Sequence, residues 1–390
     1  MRVQNNKTIR LLRLTTVPMS LSLLLKGQFA YFQSKGLVVE VGSASGYEIE
    51  NIVKCEKIVH HEFLFTRNIS PLKDLKAFFQ LASFLRKNSF DIVHTHTPKA
   101  GLIGMMAAWF CGVPVRMHTV AGLPLMETKG LKRRVLVFVE RITYRCATKV
   151  YPNSFAQCEF IQQNIYPKVG KIKVIGNGSS NGIDCDHFQA TPSLLDNAKQ
   201  IRAKLGISSG QRIAIFVGRV TGDKGINELI NAFKKFDNLD LILVGPFEPE
   251  LDPLEVSVMN EIKTNSKVHF VGFQSDVRPY LLASDFLVFP SYREGFPNVP
   301  MQAGAMGLPS IVTNINGCNE IVVHEKNGLI VTPKDTKSLS SAILRLLTDK
   351  PLMDTLKCNA RDMIVNRYDQ KSLWEALHSE YLDQISKHVR

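Results

Sequence analysis

The seven cysteines of this 390-residue chain include no Cys-x-x-Cys pair. Their odd number and loose spacing argue against a disulfide frame or a zinc site, and for free thiols in a reducing compartment. A secretory signal is also missing, because the polar residues 1–7 lead straight into Ile9 to Leu14. There is no internal repeat and no low-complexity tract. The uncharged run between Lys99 and Arg116 is too short to cross a bilayer and contains Gly112 and Pro114, which favours a buried helix followed by the start of a strand. The Gly-Lys-Ser/Thr order of a Walker loop is absent. Acidic residues are in deficit, with 35 Asp and Glu against 48 Lys and Arg, giving a net charge of +13 and a pI near 9.4. Such a surplus predicts an anionic partner: phosphates or an acidic membrane face. No nucleic-acid-binding motif accompanies it, so nucleic acid is not expected.

The length suits two domains, and the 45% apolar share is ordinary for a globular protein. Strand-like and helix-like segments alternate. Ile9 to Thr16, Val38 to Gly42, Asp91 to His94, Val115 to Val120, Val150 to Asn153 and Ile172 to Ile175 read as strands of the first half. A helix capped by Ser20 and running to about Ser34, Pro71 to Lys87, a segment through Gly101 to Phe110, and Leu131 to Ala147 read as helices. The turn-rich Asn177-Gly-Ser-Ser-Asn-Gly182 and the polar stretch after it place the domain junction near residues 185 to 205. A second alternation follows, with strands at Ile213–Val217, Leu239–Val244, Val268–Val271, Phe286–Phe289, Ser310–Thr313 and Leu329–Val331, and it ends in a helix over Ser372 to Lys387. The pattern predicts an α/β chain of two facing Rossmann-like domains, each a mostly parallel sheet with helices on both faces. The expected division is 1–190, 205–370 and a terminal helix, 371–390; a ligand is expected between the lobes.

Six segments could carry chemistry. Gly218-Arg219-Val-Thr-Gly-Asp-Lys224-Gly225 follows a strand and opens a helix. Two cations beside a helix N-terminus suit a diphosphate, and they matter most as negative charge grows on a leaving phosphate. Phe286 to Pro309 reads strand, charged loop, helix; Glu294 lies in the loop, Gly295 permits close backbone approach, and Asn298 is placed to cap the helix. His118 ends a strand and could bind sugar hydroxyls or move a proton. His94 and His96 are read as pointing to opposite faces of their strand, which disfavours joint metal binding: His94 packs and His96 is the cleft group. The loop Thr16 to Ser22, with Ser20, could meet a phosphate or an acceptor hydroxyl. Finally, the basic segment 130–149, with Leu131, Val135, Leu136, Phe138, Val139 and Ile142 interleaved, suits core packing with a wet basic side or docking on anionic lipid, core packing being the preferred reading.

Taken together, Gly218-Arg219 with Lys224-Gly225, Val271-Gly272, Pro290-Ser291-Tyr-Arg-Glu294-Gly-Phe-Pro-Asn-Val and Asn316-Gly317-Cys-Asn-Glu320 before Asn327-Gly328 resemble glycosyltransferase family 4, the retaining nucleotide-sugar transferases of GT-B fold. The resemblance covers nearly the whole chain. It implies that Gly218, Arg219 and Lys224 hold the donor diphosphate. It implies that Glu294 holds donor-sugar hydroxyls, helped by backbone amides from Gly295 through Phe296 and Pro297 to Asn298, and that His118 reaches the transferred sugar. Phe270 and Gly272 would lie near the base. Two departures stand out: Gln302 replaces the family's second glutamate, which holds ribose hydroxyls, and the N-terminal loop offers Pro18 and Ser20 in place of paired glycines. The acceptor-side residues are expected to be Ser20 and His96. Catalysis is expected without metal or other cofactor, through a front-face route, with domain closure excluding water.

The reading is a transferase moving a sugar, an N-acetylhexosamine being the candidate, from a UDP donor onto a lipid-diphosphate-linked saccharide, in the cytoplasm at an anionic membrane surface. A nucleotide-sugar epimerase on the same scaffold and an inactive sugar-nucleotide or lipid-binding module are the alternatives.

Overall fold

The computed structural model describes residues 8–389 other than 69, 127 and 169; the polar head, 1–7, lies outside the described residues. Contacts divide the chain into two units, one running up to Gly182 and resumed at Lys371, the other from Ile183 to Gln370. The junction is set by pairing, not composition. The Ile183 N–H donates to the Tyr368 carbonyl at 2.8 Å, the Gln370 N–H donates to the Ile183 carbonyl at 3.0 Å, and Arg361 donates to the carbonyls of Cys185 and Phe188.

The first unit holds a six-stranded parallel sheet: β1 Arg10–Leu14, β2 Val38–Ser43, β3 Val59–Glu62, β4 Ile92–His96, β5 Val115–Val120 and β6 Lys149–Pro152, in the order β3-β2-β1-β4-β5-β6. The second repeats this order with β7 Arg212–Val217, β8 Leu239–Val244, β9 Val268–Gly272, β10 Phe286–Phe289, β11 Ser310–Thr313 and β12 Gly328–Val331, arranged β12-β11-β10-β7-β8-β9. Both are doubly wound, with the order reversing between β1 and β4 and between β7 and β10; loops after those strands diverge and leave a crevice at the carboxyl edge. Strands buried on both faces explain the unbroken apolar runs such as Leu241–Val244.

Several elements carry too little local signal to be read. Glu48–Glu56, Phe155–Asn164, Val256–Thr264 and Cys318–Ile321 are helices and Val59–Glu62 is a strand, whereas Ile172 makes only an isolated bridge with Val150. The expected Ser20-capped helix is two helices, Pro18–Leu24 and Gln28–Ser34, broken at Gly27, which has φ +83°. Ser20 sits inside the first turn and caps nothing; Val17 is the N-cap residue.

The first sheet has a separate core on each face. Leu12, Leu14 and Val93 face the Pro71–Lys87, Pro98–Phe110 and Gly130–Cys146 helices; Leu11, Ile92 and Met117 face Phe29 and Phe32 and the terminal helix Gln370–His388 through Leu373, Leu377 and Tyr381. That second core contains polar groups. Buried His94 bonds the Tyr381 hydroxyl at 2.6 Å through Nδ1 and Thr119 Oγ1 at 2.8 Å through Nε2. Tyr381→Phe removes one partner and strands a buried ring nitrogen, so equilibrium denaturation should show a loss of about 1–3 kcal/mol with unchanged circular dichroism at low denaturant.

Candidate active site

In the second unit the loops leaving β7 and β10 meet at the strand reversal. The first is tethered by backbone bonds: the Gly218 N–H donates to the Val244 carbonyl at 2.9 Å, that of Val220 to Pro246 at 2.8 Å, and that of Gly222 to Asp252 at 3.0 Å. A single 3-10 turn, Gly222–Lys224, ends at Gly225, whose φ is +73°. A Cβ there would lie 2.1 Å from the Pro290 carbonyl oxygen, so only glycine lets the two loops pass this closely. The second loop is held from behind. Thr313 donates to the Ser291 carbonyl, and Asn316 Nδ2 donates to the carbonyls of Glu294 and Gly295.

The loops are joined face to face. Lys224 Nζ donates to Glu294 Oε1 at 2.6 Å, each side chain about 15% exposed. The Tyr292 N–H donates to the Asp223 carbonyl at 3.0 Å, and the Tyr292 hydroxyl donates to the Glu228 carboxylate at 2.6 and 2.7 Å. Arg219, 36% exposed, is 3.5 Å from Asp223 and 3.7 Å from Glu248. The two cations are therefore not bare: Lys224 is tightly paired, whereas the longer contacts of Arg219 leave its guanidinium able to take a further acceptor. Buried Cys318 lies near the pair; burial, reinforced by the Glu294 charge, drives its thiol well above the ordinary value, so it stays protonated.

Gly272 is bound into this edge, its carbonyl accepting from the Gly245 N–H at 2.8 Å, and Phe270 on β9 is exposed. Phe296 packs on Tyr368 with ring centroids 5.5 Å apart and Pro297 is buried. Asn298 does not cap its helix: Pro297 is the N-cap residue, and Asn298, exposed, is the first helical residue of Asn298–Ala305. Gln302 is half-buried on the next turn.

In the first unit, His118 and His96 belong to opposite faces of the sheet. Register pairs Thr95 with His118 and His96 with Thr119. Thr95 Oγ1 lies 2.8 Å from His118 Nδ1, and a Cβ on Gly101 would come within 2.4 Å of the His118 ring, so that helical glycine exists to admit the imidazole. His94 and His96, two apart, share one face, with ring centroids 4.3 Å apart. The expectation of opposite faces fails because side-chain direction repeats every second residue. Among the described residues no group of three or more His, Cys, Asp or Glu is placed to hold a metal ion. Sequence reasoning did not single out Glu228 or Thr95, and it quoted Asp223 and Asn316 only within their motifs, without the contacts they make; the mid-helix Gly101 was the one visible signal.

Two Rossmann-like units with identical strand order, and a cation–carboxylate pair at the switch point of the second, define a two-domain, doubly wound fold with a site suited to a phosphate-bearing ligand. The profile described as Glycosyl transferases group 1 matches residues 197–363, and that described as Glycosyl transferase 4-like domain matches residues 30–178. The capsular polysaccharide biosynthesis glycosyltransferase CapM of Staphylococcus aureus is 34% identical over 96% of this chain and 97% of its own. The UDP-Gal:alpha-D-GlcNAc-diphosphoundecaprenol alpha-1,3-galactosyltransferase of Escherichia coli is 30% identical over 82% of each chain. Anabaena HepE, solved in complex with UDP, superposes with a TM-score of 0.79 at 22% identity, over 97% of this chain and 100% of that one, which shows the same fold. The chain belongs to glycosyltransferase family 4 and has the GT-B fold of its retaining enzymes.

Burial lowers the His118 pKa from 6.5 to about 4, and holds His94 and His96 well below 6.5. The unfolded chain then binds protons that the folded one refuses, so their contribution is present above pH 6.5 and lost as pH falls toward 4. His118 alone accounts for up to about 3 kcal/mol across that window. Urea unfolding from pH 7 to pH 4 should show this decline, and the His118 ring resonances should stay those of neutral imidazole at pH 6.

Proposed function

We propose that the chain transfers a sugar, with an N-acetylhexosamine as candidate, from a UDP donor to a lipid-diphosphate-linked saccharide in surface polysaccharide biosynthesis. The observation carrying this reading is the Lys224–Glu294 pair at the strand reversal, flanked by Arg219. A diphosphate arriving there meets two cations, and a hydroxyl-rich sugar meets a carboxylate already oriented by Lys224. As the glycosidic bond lengthens, charge accumulates on the departing phosphate, and the fixed cations stabilise that state more than the ground state. Gln302 offers both a donor and an acceptor to the ribose. On the acceptor side, His118, neutral at pH 7, is the group assigned to the transferred sugar, and Ser20 to the acceptor. The names of the S. aureus and E. coli relatives support a polysaccharide pathway and a lipid-diphosphate acceptor.

The same reading places the first unit on an anionic membrane surface. Among the described residues no helix is long and apolar enough to cross a membrane. The Gly130–Cys146 helix packs the core, as preferred, through Leu136, Val137 and Tyr144, but it leaves part of its apolar set outside. Leu131, Val135 and Phe138 are 75%, 50% and 64% exposed, while Glu140, Thr143 and Tyr144 are the buried residues. Arg133, Arg134 and Arg141 line an open groove of about 400 Å³ beside Phe138. Apolar side chains among arginines suit the headgroup boundary of anionic lipid.

Arg219→Ala and Lys224→Ala should each weaken UDP binding roughly 10- to 100-fold in calorimetry, the range of a lost charge-assisted bond. Glu294→Ala should abolish transfer, read by mass spectrometry of the product, and leave UDP affinity within a few-fold. Unchanged UDP affinity in both cation variants would falsify the donor site. Neutralising Arg133, Arg134 and Arg141 together should reduce binding to phosphatidylglycerol-containing vesicles by roughly 100-fold, at about 1 kcal/mol per charge; equal vesicle recovery would remove the membrane assignment.

A further inference from the structure

Arg13 is completely buried on β1, and among the described residues no carboxylate pairs with it. Its terminal nitrogens donate to neutral acceptors, Gln28 Oε1 and His96 Nε2, the latter at 2.8 Å, and its guanidinium lies 5.6 and 5.7 Å from the Phe29 and Phe32 rings. These contacts satisfy some protons but bring no carboxylate into contact; Glu56 acts on the guanidinium only through space, and a buried cation without a contacting counter-ion is costly. Its Nε–H has no partner.

His96 repeats the deficit. Burial holds the ring well below its ordinary pKa, so it is neutral, and because Nε2 accepts from Arg13 the proton sits on Nδ1. That Nδ1–H is buried and unpartnered. Ser180 adds a third donor: its hydroxyl oxygen accepts from Asn153 Nδ2 at 2.6 Å, leaving its own proton free to donate. Arg13, His96 and Ser180 all line one cavity of about 20 Å³, which Leu373 and Leu377 of the terminal helix also line and which no acidic side chain lines. A volume of roughly 10–15 Å³ by the same measure admits one water-sized particle.

We infer that this cavity is a binding site for a single small monatomic anion of the halide class, held by Arg13, His96 and Ser180 as the counter-ion of the buried guanidinium. Water would fill the space and accept the protons, but it would bring no negative charge into contact with the guanidinium. Room for about one water-sized particle suits a monatomic anion better than a polyatomic one. The site lies within the first unit. It also gives a role to the Asn177–Gly182 turn, which Gln28 secures by donating to the Ser180 carbonyl at 2.8 Å and Asn181 Oδ1 at 2.7 Å.

Crystals of the full chain grown with sodium bromide should give an anomalous peak in the cavity beside Arg13 and His96. Thermal unfolding at constant ionic strength, with millimolar bromide replacing glutamate, should show a saturable rise in Tm, as expected for a ligand that binds only the folded state. Arg13→Met should abolish the rise. If that variant does not fold, Ser180→Ala, which retains the guanidinium, should need several-fold more bromide for the same shift. Density without anomalous signal, a peak with no bromide-dependent Tm (an adventitious ion only), or superimposable bromide and glutamate curves would each overturn the site.

Discussion

A 2.6 Å contact between Lys224 and Glu294 closes the gap that a reversal of strand order opens. Parallel strands β7 and β10 are neighbours, yet their loops leave toward opposite helical layers, and without cross-links they would present unrelated surfaces. The ion pair, the Tyr292 amide on the Asp223 carbonyl, and the absence of a side chain at Gly225 hold them against each other. Each charge is desolvated enough to matter and shielded enough to hold its geometry. The arrangement is preorganised: a cation and an acceptor stand side by side before any ligand arrives, so the reaction need not spend free energy on orienting them.

The first unit solves a different problem. Its sheet carries Arg13, His94 and His96 on a face that also receives Phe29, Phe32 and the terminal helix. Polar groups in that layer are tolerated only because almost each finds a partner from a distant part of the chain, His94 with Tyr381 and Tyr151 with Glu380 among them. The layer thus specifies where the last helix docks more sharply than apolar packing alone would. Two of the donors left over, on Arg13 and His96, lie at the cavity at the end of β4, where no carboxylate touches the buried guanidinium.

Membership of glycosyltransferase family 4 explains why two halves with no readable repeat share one strand order, and it fixes the chemistry as glycosyl transfer. The exposed Leu131, Val135 and Phe138 are then informative, because a helix that only packed a core would bury them and expose Glu140; here the reverse holds.

Alternating apolar runs and turn signals were enough to determine two α/β halves, the extents of Pro71–Lys87, Leu239–Val244 and Phe286–Phe289, and the loops at Gly218 and Glu294, because periodicity and chain breaks are local properties. The helix at Phe155–Asn164, the strand at Val59–Glu62 and the break at Gly27 were not legible, since packing against distant residues stabilises them. Only tertiary structure decided that Lys224 is paired with a residue 70 positions away, that Asn298 lies inside its helix and not at the N-cap, and that His96 and His118 occupy different faces. The physical reason is common to all three: charge pairing, burial and facing depend on which strands lie side by side, and sheet order is set by long-range contacts that no short window of sequence contains.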